Sequence, residues 1–454
     1  MPATTWGETL INPTVTPRAE HAISRSNISK NALRVLYRLH EAGFQAYLVG
    51  GGVRDLLLGR EPKDFDVVTD ARPAQIKELF RNARLIGRRF VLAHVQFGQE
   101  VIEVATFRGQ SVGEDNTDRV TVDGMILRDN VYGTMDEDVW RRDFTVNALY
   151  YTIADFSVVD YVNGMADLKA GVLRLIGEPE QRYREDPVRM LRAVRFAAKL
   201  GFRIDPSCER PLLENGNLLE AVPPARLFEE VLKMFLAGDA LKSFELLRHY
   251  DLFGRLFPST EAALAEEVDG FPNLLVANAL RNTDTRVAED KPVTPAFMFA
   301  ALLWPAVVRR RLALEGRLGA APALQQAATD CVREAVERVS IPRRFSMPMQ
   351  EIWGLQDRFV QRNGKRAARL YAHPRFRAAY DFMLLRAEAG EVDEDTARWW
   401  TEYQAGDDQV RTTLGDAAVN EVVGDDTPPA QRPRRRRRRG GGGRGRGGHG
   451  ASAA

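Results

Sequence analysis

A change in hydrophobic period between Asp167 and Asp186 constrains this chain more than any other feature. From Asn31 to about Asp167, short apolar stretches alternate with glycines and charged turns. They are Ala46-Tyr47-Leu48-Val49, Phe65-Asp66-Val67-Val68, His94-Val95-Gln96-Phe97, Val101 to Phe107, and Ser157 to Val162. Their β-branched and aromatic content predicts strands of one mixed sheet, with helices over about 31–42 and 73–82 packed against it. From Asp186 to about Asp407 the spacing turns helical, as in Leu227, Phe228, Val231, Leu232, Phe235 and Leu236. The expected fold class is therefore α+β: a small mixed-sheet head followed by an all-helical neck and body, ending in a basic tail.

The expected division is an N-terminal extension over 1–27, a head over 28–167, a neck over 168–257, a body over 258–416 and a tail over 417–454. With 454 residues, the chain is long enough for more than one core. Its only cysteines, Cys208 and Cys331, lie far apart, which fits two ordinary thiols in a reducing compartment and gives no disulfide framework or Cys-rich zinc site. Residues 1–27 lack the pattern of a secretion signal, and the longest apolar run, Pro295 to Val308, is shorter than the roughly 18 residues a membrane span requires. The expectation is a cytoplasmic protein with no membrane span.

The net charge of +2 conceals an asymmetry. Residues 431–454 hold nine arginines and no acid; setting those aside leaves 55 Lys/Arg against 62 Asp/Glu, or −7 for residues 1–430. A polyanion must then be held by local basic patches or by the tail, where Arg434, Arg435 and Arg436 begin a run of six. Asp425 to Ala454, rich in Pro, Arg and Gly, buries too little apolar area to fold on its own. Either it is a solubilising end, or it tethers RNA through counterion release, which is the reading preferred here.

Leu48-Val49-Gly50-Gly51-Gly52-Val53-Arg54-Asp55 reads as a strand running into three glycines and a short helix, a geometry that brings bare amides close to phosphate oxygens. A plain turn fits the same residues. Neither a Gly-Lys-Ser/Thr phosphate loop nor a Gly-x-Gly-x-x-Gly dinucleotide turn is present there. Asp64 and Asp66 follow at a spacing of two, which on a strand places both carboxylates on one face, with Phe65 and Val67 toward the core. Such like charges call for a cation, and Mg²⁺ prefers oxygen ligands. Glu103, mid-run in an apolar strand, is the natural third carboxylate; a structural ion pair with Arg108 or Arg142 is its alternative.

Two further clusters carry charge. In Arg141-Arg142-Asp143-Phe144-Thr145-Val146-Asn147, the arginines suit a triphosphate, while Asp143 and Asn147 suit ribose hydroxyls or metal-bound water. Asp143 may equally be a helix cap. Glu185-Asp186-Pro187-Val188-Arg189 opens a helix on which Arg189, Arg192, Arg195 and Lys199 form one stripe opposite Met190, Leu191, Val194 and Ala198. Asp186 before Pro187 also fits a cap. The stripe is either a solvated face or, because few acids interleave with it, a surface for an anionic partner such as RNA.

In their order, these motifs resemble those of the class II nucleotidyltransferases, the family of bacterial poly(A) polymerases and CCA-adding enzymes, over about Glu20 to Pro258. The resemblance implies that Gly50, Gly51, Arg54 and Asp55 lie on the triphosphate side. It implies that Asp64 and Asp66 are the catalytic metal pair, that Asp143 belongs to the ribose and active-site motif, and that Glu185, Asp186 and Arg189 read the incoming base. Leu85 to Val95, Leu173 to Pro179 and the basic tail are similar to the poly(A) polymerase branch, and no His-Asp phosphohydrolase motif occurs among the six histidines.

The implied activity is template-independent addition of AMP from ATP to RNA 3′ ends with release of pyrophosphate. Two Mg²⁺ ions held by Asp64, Asp66 and a third carboxylate are implied as cofactors, and RNA-degradation or helicase proteins as partners that no residue pattern marks. CCA addition to tRNA is the nearest alternative, and a catalytically silent RNA-binding protein a further one.

Overall fold

The computed structural model describes residues 12–87, 91–109, 119–122, 125–129, 131–266 and 274–424. Ten strands precede the helical part: β1 (Thr14–Thr16), β2 (Ala46–Val49), β3 (Asp66–Thr69), β4 (Ala83–Ile86), β5 (Leu92–Phe97), β6 (Glu100–Thr106), β7 (Arg119–Val122), β8 (Met125–Asp129), β9 (Leu149–Thr152) and β10 (Val158–Asp160). Eight of them form one sheet in the order β1-β10-β9-β2-β3-β6-β5-β4, and β7 pairs with β8 in a separate ribbon. Every neighbouring pair in the large sheet is antiparallel except β3 and β6. The head is thus a mixed sheet and the remainder is helical, as the change in period predicts, except that Val172–Leu173 and Arg203–Ile204 pair in parallel within the neck expected to be all-helical.

Alternation along the strands divides the side chains between two layers. Leu48, Phe65, Val67, Ile102, Val104 and Tyr151 face the helix Lys30–Glu41, which buries Ala32, Val35, Leu36 and Leu39 in return. That helix starts where the Ser29 hydroxyl accepts the Asn31 and Ala32 amides, satisfying donors the first turn leaves open. Burying each of its larger aliphatic side chains stabilises the head by about 1.5–3 kcal/mol. Val49, Val68, Phe107, Met135, Val139 and Tyr150 form a smaller cluster on the opposite face. Asp66 and Glu103 belong to that second face, and the charged site is built there.

Two elements depart from the sequence reading. Residues 14–16, expected within an N-terminal extension, pair with β10 as the edge strand of the sheet. Leu149–Thr152, to which the sequence reading assigns no element, forms β9 beside β2, and where Asp143 fits a helix cap only a single 3-10 turn, Thr145–Asn147, follows.

The apolar run from Pro295 is one helix, Pro295–Leu318, that carries Pro305 inside it and buries Phe299, Leu302 and Trp304. Among the described residues no helix is long and apolar enough to cross a membrane. A second, smaller core gathers Leu355, Phe359, Leu370, Phe376, Trp400 and Tyr403. At its rim the helices Gly364–Tyr371 and Asp408–Gly424 meet closely enough that a Cβ on Gly415 would lie 3.1 Å from the Gly364 Cα.

Candidate functional site

The site begins at the end of β2. Val49 is the register partner of Asp66 on β3, and the next residue, Gly50, turns the chain with φ +75°, a conformation that favours glycine. A Cβ there would sit 3.7 Å from Asp66 Oδ2, and one on Gly52 would sit 3.2 Å from the Asp64 carbonyl. Gly51 and Gly52 then open the helix Gly51–Leu57. The glycine turn therefore lies against the two aspartates. Asp64 is exposed and precedes β3; Asp66 is half-buried; Phe65 and Val67 point into the core between them.

On the other side of β3, Asp66 lies in register with Glu103 of β6, and Glu103 with His94 of β5. Burial, Glu103 and Asp64 together push the Asp66 carboxyl up to about 6, against the opposing pull of Arg142. Glu103 is about half-exposed and has neither Arg108 nor Arg142 as its partner; both of these go to Asp138. Glu103 Oε1 instead lies 3.2 Å from His94 Nε2, close enough for an ion pair. The expected penalty of a buried, unpaired Glu103 does not arise, because alternation turns its side chain outward.

Arg142 is anchored from below. Its guanidinium donates to Asp138 Oδ2 at 2.9 Å and to the Tyr150 hydroxyl at 2.7 Å. Burial by itself would raise Asp138; Arg142 and Arg108 outweigh it and hold the carboxyl below its ordinary value. Arg141 donates to the Gly109 carbonyl.

Behind the glycine turn runs a chain of polar contacts. Arg54, only 1% exposed, donates to Asp55 Oδ1 at 2.8 Å and to Asn147 Oδ1 at 2.6 Å. Asn147 Nδ2 donates to Asp143 Oδ1 at 3.3 Å, and Arg192 grips Asp143 Oδ2 from Nε at 2.8 Å and Nη2 at 2.5 Å. Lys199 Nζ stands 3.7 Å from Asp55 Oδ2. Arg54 and Asp55, expected on the triphosphate, are therefore buried beneath the turn, where they support it. Burial would raise the Asp143 carboxyl, but Arg192 and the Phe144 amide hold it well below the usual range.

The arginine stripe on the helix Val188–Leu200 departs furthest from expectation. Arg192, Arg195 and Lys199, expected to contact RNA, face Asp143, Glu230 and Asp55. The acids that neutralise them come from other elements, so no local charge pattern could reveal them. Arg189, 8% exposed, donates to the Arg182 carbonyl at 2.7 Å and to Glu185 at 3.2 Å. Arg182 reaches the Arg142 carbonyl at 2.5 Å, tying the neck to the head. Asp186 pairs with Arg226 at 3.0 Å rather than capping the helix with its side chain.

Asp138, Tyr150, Arg182, Arg226, Glu230 and His94 were not singled out from sequence. Asp138 left a local signal four residues before Arg142, as did Arg182 three before Glu185 and Glu230 three before Lys233. Arg434, Arg435 and Arg436 lie outside the described residues, as do residues 88–90 of the Leu85 to Val95 stretch.

A cavity of about 520 Å³ in the helical body is lined by Phe297, Met298, Arg286 and Arg375 among others, and none of its lining residues belongs to the expected site.

Three family models match the chain: "Poly A polymerase head domain" over residues 46–174, "Probable RNA and SrmB- binding site of polymerase A" over 201–264, and "Polymerase A arginine-rich C-terminus" over 316–440. Poly(A) polymerase I of Salmonella typhi is 50% identical over 429 residues, covering 93% of this chain and 91% of that protein. The chain belongs to the bacterial poly(A) polymerase family.

A CCA-adding enzyme of Lactobacillus helveticus is 40% identical over 217 residues, 47% of this chain and 52% of that protein. The kinship with CCA addition thus covers about half of this polymerase-family chain. The fold is also that of the Thermotoga maritima CCA-adding enzyme in its complex with tRNA, with a TM-score of 0.57 and 19% identity over 91% of this chain and 96% of that one. Membership in the family makes the chain a nucleotidyltransferase.

Proposed function

We propose that the chain extends RNA 3′ ends with AMP from ATP, and that the reaction takes place at the face shared by the Gly50 turn, Asp64, Asp66 and Glu103. The carrying observation is the register: Val49, Asp66 and Glu103 lie side by side on β2, β3 and β6, with the glycine turn directly over the middle one.

Among the described residues no three acidic, His or Cys side chains close into a metal cage. The donor set instead fits an open Mg²⁺ site, which uses one or two carboxylates and completes its shell with water and phosphate. Burial, Glu103 and Asp64 raise the Asp66 carboxyl in spite of Arg142, a crowding that a bound cation would relieve. Two Mg²⁺ ions held by Asp64 and Asp66, with Glu103 as the third carboxylate, would supply counter-charge to the triphosphate and to the attacking oxygen.

The reaction joins the RNA 3′-oxygen to the α-phosphorus of ATP and breaks the bond from that phosphorus to the β-phosphate bridge, releasing pyrophosphate. Gly50 and Gly51 let backbone approach the phosphates without a Cβ in the way. Arg142, fixed by Asp138 and Tyr150, adds positive charge beside Asp66. Asp143 and Asn147, held by Arg192 and Arg54, orient the ribose. Glu185, Asp186 and Arg189 read adenine, because a pocket built from such hydrogen bonds penalises a base that leaves them unpaired. Arg54, Asp55, Arg192, Arg195 and Lys199 hold these groups in place rather than touching substrate.

In this reading residues 28–167 form the catalytic head, 168–257 the base-reading neck and 258–416 the RNA-holding body, with 417–454 as an RNA tether. Residues 201–264 take RNA and, following the description of the matching model, a protein partner. The site of action is the cytoplasm.

A panel of single nucleotides offered to a generic RNA primer, with product length read on a gel, tests the function. Long products with ATP alone are expected. Efficient CMP addition to a tRNA lacking its CCA end would overturn the reading in favour of CCA addition. Asp64→Ala with Asp66→Ala should abolish transfer and leave the fold intact; substantial residual transfer would refute the metal assignment.

A further inference from the structure

We propose that the turn and helix spanning residues 358–369 of the body form a docking surface for the RNA backbone, separate from the transfer site. The proposal deepens the reading of the chain as an RNA-extending enzyme and rests on it.

The twenty residues from Arg358 to Arg377 contain seven Lys or Arg and no Asp or Glu. Arg375 and Arg377, at the end of this run, are ion-paired to Glu351 and Asp381. Among the described residues, Arg358, Arg362, Lys365, Arg366 and Arg369 make no ion pair. Lys365, Arg366 and Arg369 are exposed, and Arg358 and Arg362 half-buried. The neck presents the opposite case, since Arg189, Arg192, Arg195 and Lys199 each have an acid. The chain thus neutralises the arginine stripe that looks like an RNA surface from sequence and leaves this one uncompensated.

Local stability does not account for the arrangement. Lys365 and Arg369 stand four apart on the helix Gly364–Tyr371, as do Arg362 and Arg366 across its start, so like charges repel along one face. Lys365 and Arg366 also sit in the first turn, where a cation opposes the helix dipole. An external polyanion relieves both penalties.

Two observations favour RNA over an acidic protein. The helix Asp408–Gly424 packs on the helix Gly364–Tyr371 through Gly415 and Gly364, and the sequence that follows it supplies the nine arginines and no acids of residues 431–454. Cations without interspersed acids, on one helix and on the chain that leaves its neighbour, suit a uniform phosphate backbone better than the mixed charges of a protein surface. RNA is also the one extended polyanion that the proposed reaction brings to the molecule, ATP being confined to the transfer site.

The test uses the full-length protein with Arg362, Lys365, Arg366 and Arg369 all changed to Gln. Its binding to a fluorescent single-stranded RNA is measured in EDTA, without ATP, at several salt concentrations. Each lost phosphate contact should lower the slope of log K against log salt by about 0.7, so a fall of about 2 to 3 is expected. The four-site Arg/Lys exchange that retains charge should keep most of the slope. Thermal melting of both variants checks folding; should the Gln variant unfold, Arg366→Gln with Arg369→Gln alone is expected to lower the slope by about 1 to 1.5. An unchanged slope in a folded variant overturns the proposal and leaves an acidic protein as the partner of this surface. Failure of the wild-type chain to add AMP to RNA would instead count against the function and not against this surface.

Discussion

Asp66 on β3 lies directly opposite Glu103 on β6, at the one parallel junction of the large sheet, and both carboxylates occupy the face beneath the glycine turn. Burial and that neighbour lift the Asp66 carboxyl to about 6. Because the folded-state value is raised, ionising Asp66 costs the metal-free fold stability as pH rises from about 4 through 6, and the loss persists above. Asp66→Asn should therefore stabilise the protein in EDTA at pH 8 by on the order of 1–2 kcal/mol in urea unfolding, while eliminating AMP transfer. An Asn variant no more stable than wild type would contradict the crowded-carboxylate picture.

Gly50 offers a way to separate strain from function. Gly50→Ala forces a side chain into φ +75° and toward Asp66, whereas Gly59→Ala imposes φ +69° where no heavy atom lies within 4 Å. Gly59→Ala should lose about 1–2 kcal/mol of stability, and Gly50→Ala, whose ψ of −139° adds a conformation essentially restricted to glycine, about 1–3 kcal/mol. Only Gly50→Ala should also lose transfer activity, by about tenfold or more. Equal activity in the two variants would remove the glycine turn from the site.

The Arg192 clasp on Asp143 ties the neck helix to the head. Arg192→Gln strips a largely buried carboxylate of its cation, and the loss should be about 2–3 kcal/mol, below the usual cost for a fully buried pair because Arg192 is partly exposed. A double-mutant cycle with Asp143→Asn should show coupling of at least about 1 kcal/mol. Additive single effects would show that the two groups do not act as a unit.

Arg226 holds Asp186 from a different helix. Arg226→Ala should leave the fold largely intact and relax nucleotide choice, reducing the preference for ATP over CTP by about tenfold through misplacement of a hydrogen-bonding group. Steady-state kinetics with each nucleotide measures it; a preserved ratio would take Asp186 out of base reading.

Asp138 sets an acid limit. Its carboxyl is held below the ordinary value by Arg142 and Arg108, so its stabilising effect is complete above about pH 4 and is lost as pH falls through the lowered value. Asp138→Asn should lower the melting temperature at pH 7 and flatten its decline between pH 5 and 3. A variant with the wild-type acid profile would show that the pair contributes little.

Much of this was legible in the sequence, and the exceptions share one cause. Period and glycine spacing located β2, β3, β6 and the Asp64 and Asp66 pair, because strand alternation alone decides which side chains share a face. What stayed hidden were partners supplied from far along the chain. Arg195 meets Glu230 thirty-five residues on, Arg192 meets Asp143 forty-nine residues back, and Arg54 meets Asn147 ninety-three residues on. A stripe of arginines therefore read as an open surface, while the short run at 358–369, with no distant acid to meet it, went unnoticed. Glu103 takes neither of its alternative partners for a related reason: Arg108 and Arg142 both go to Asp138, which the sequence reading does not single out.

The series Lys199, Asp55, Arg54, Asn147, Asp143 and Arg192 joins the floor of the glycine turn to the helix Val188–Leu200 of the neck. An enzyme that copies no strand has to keep its preferred letter in its own framework. With head and neck riveted in this way, the face under the glycine turn cannot widen independently of the helix Val188–Leu200, and each round of growth meets the same gauge.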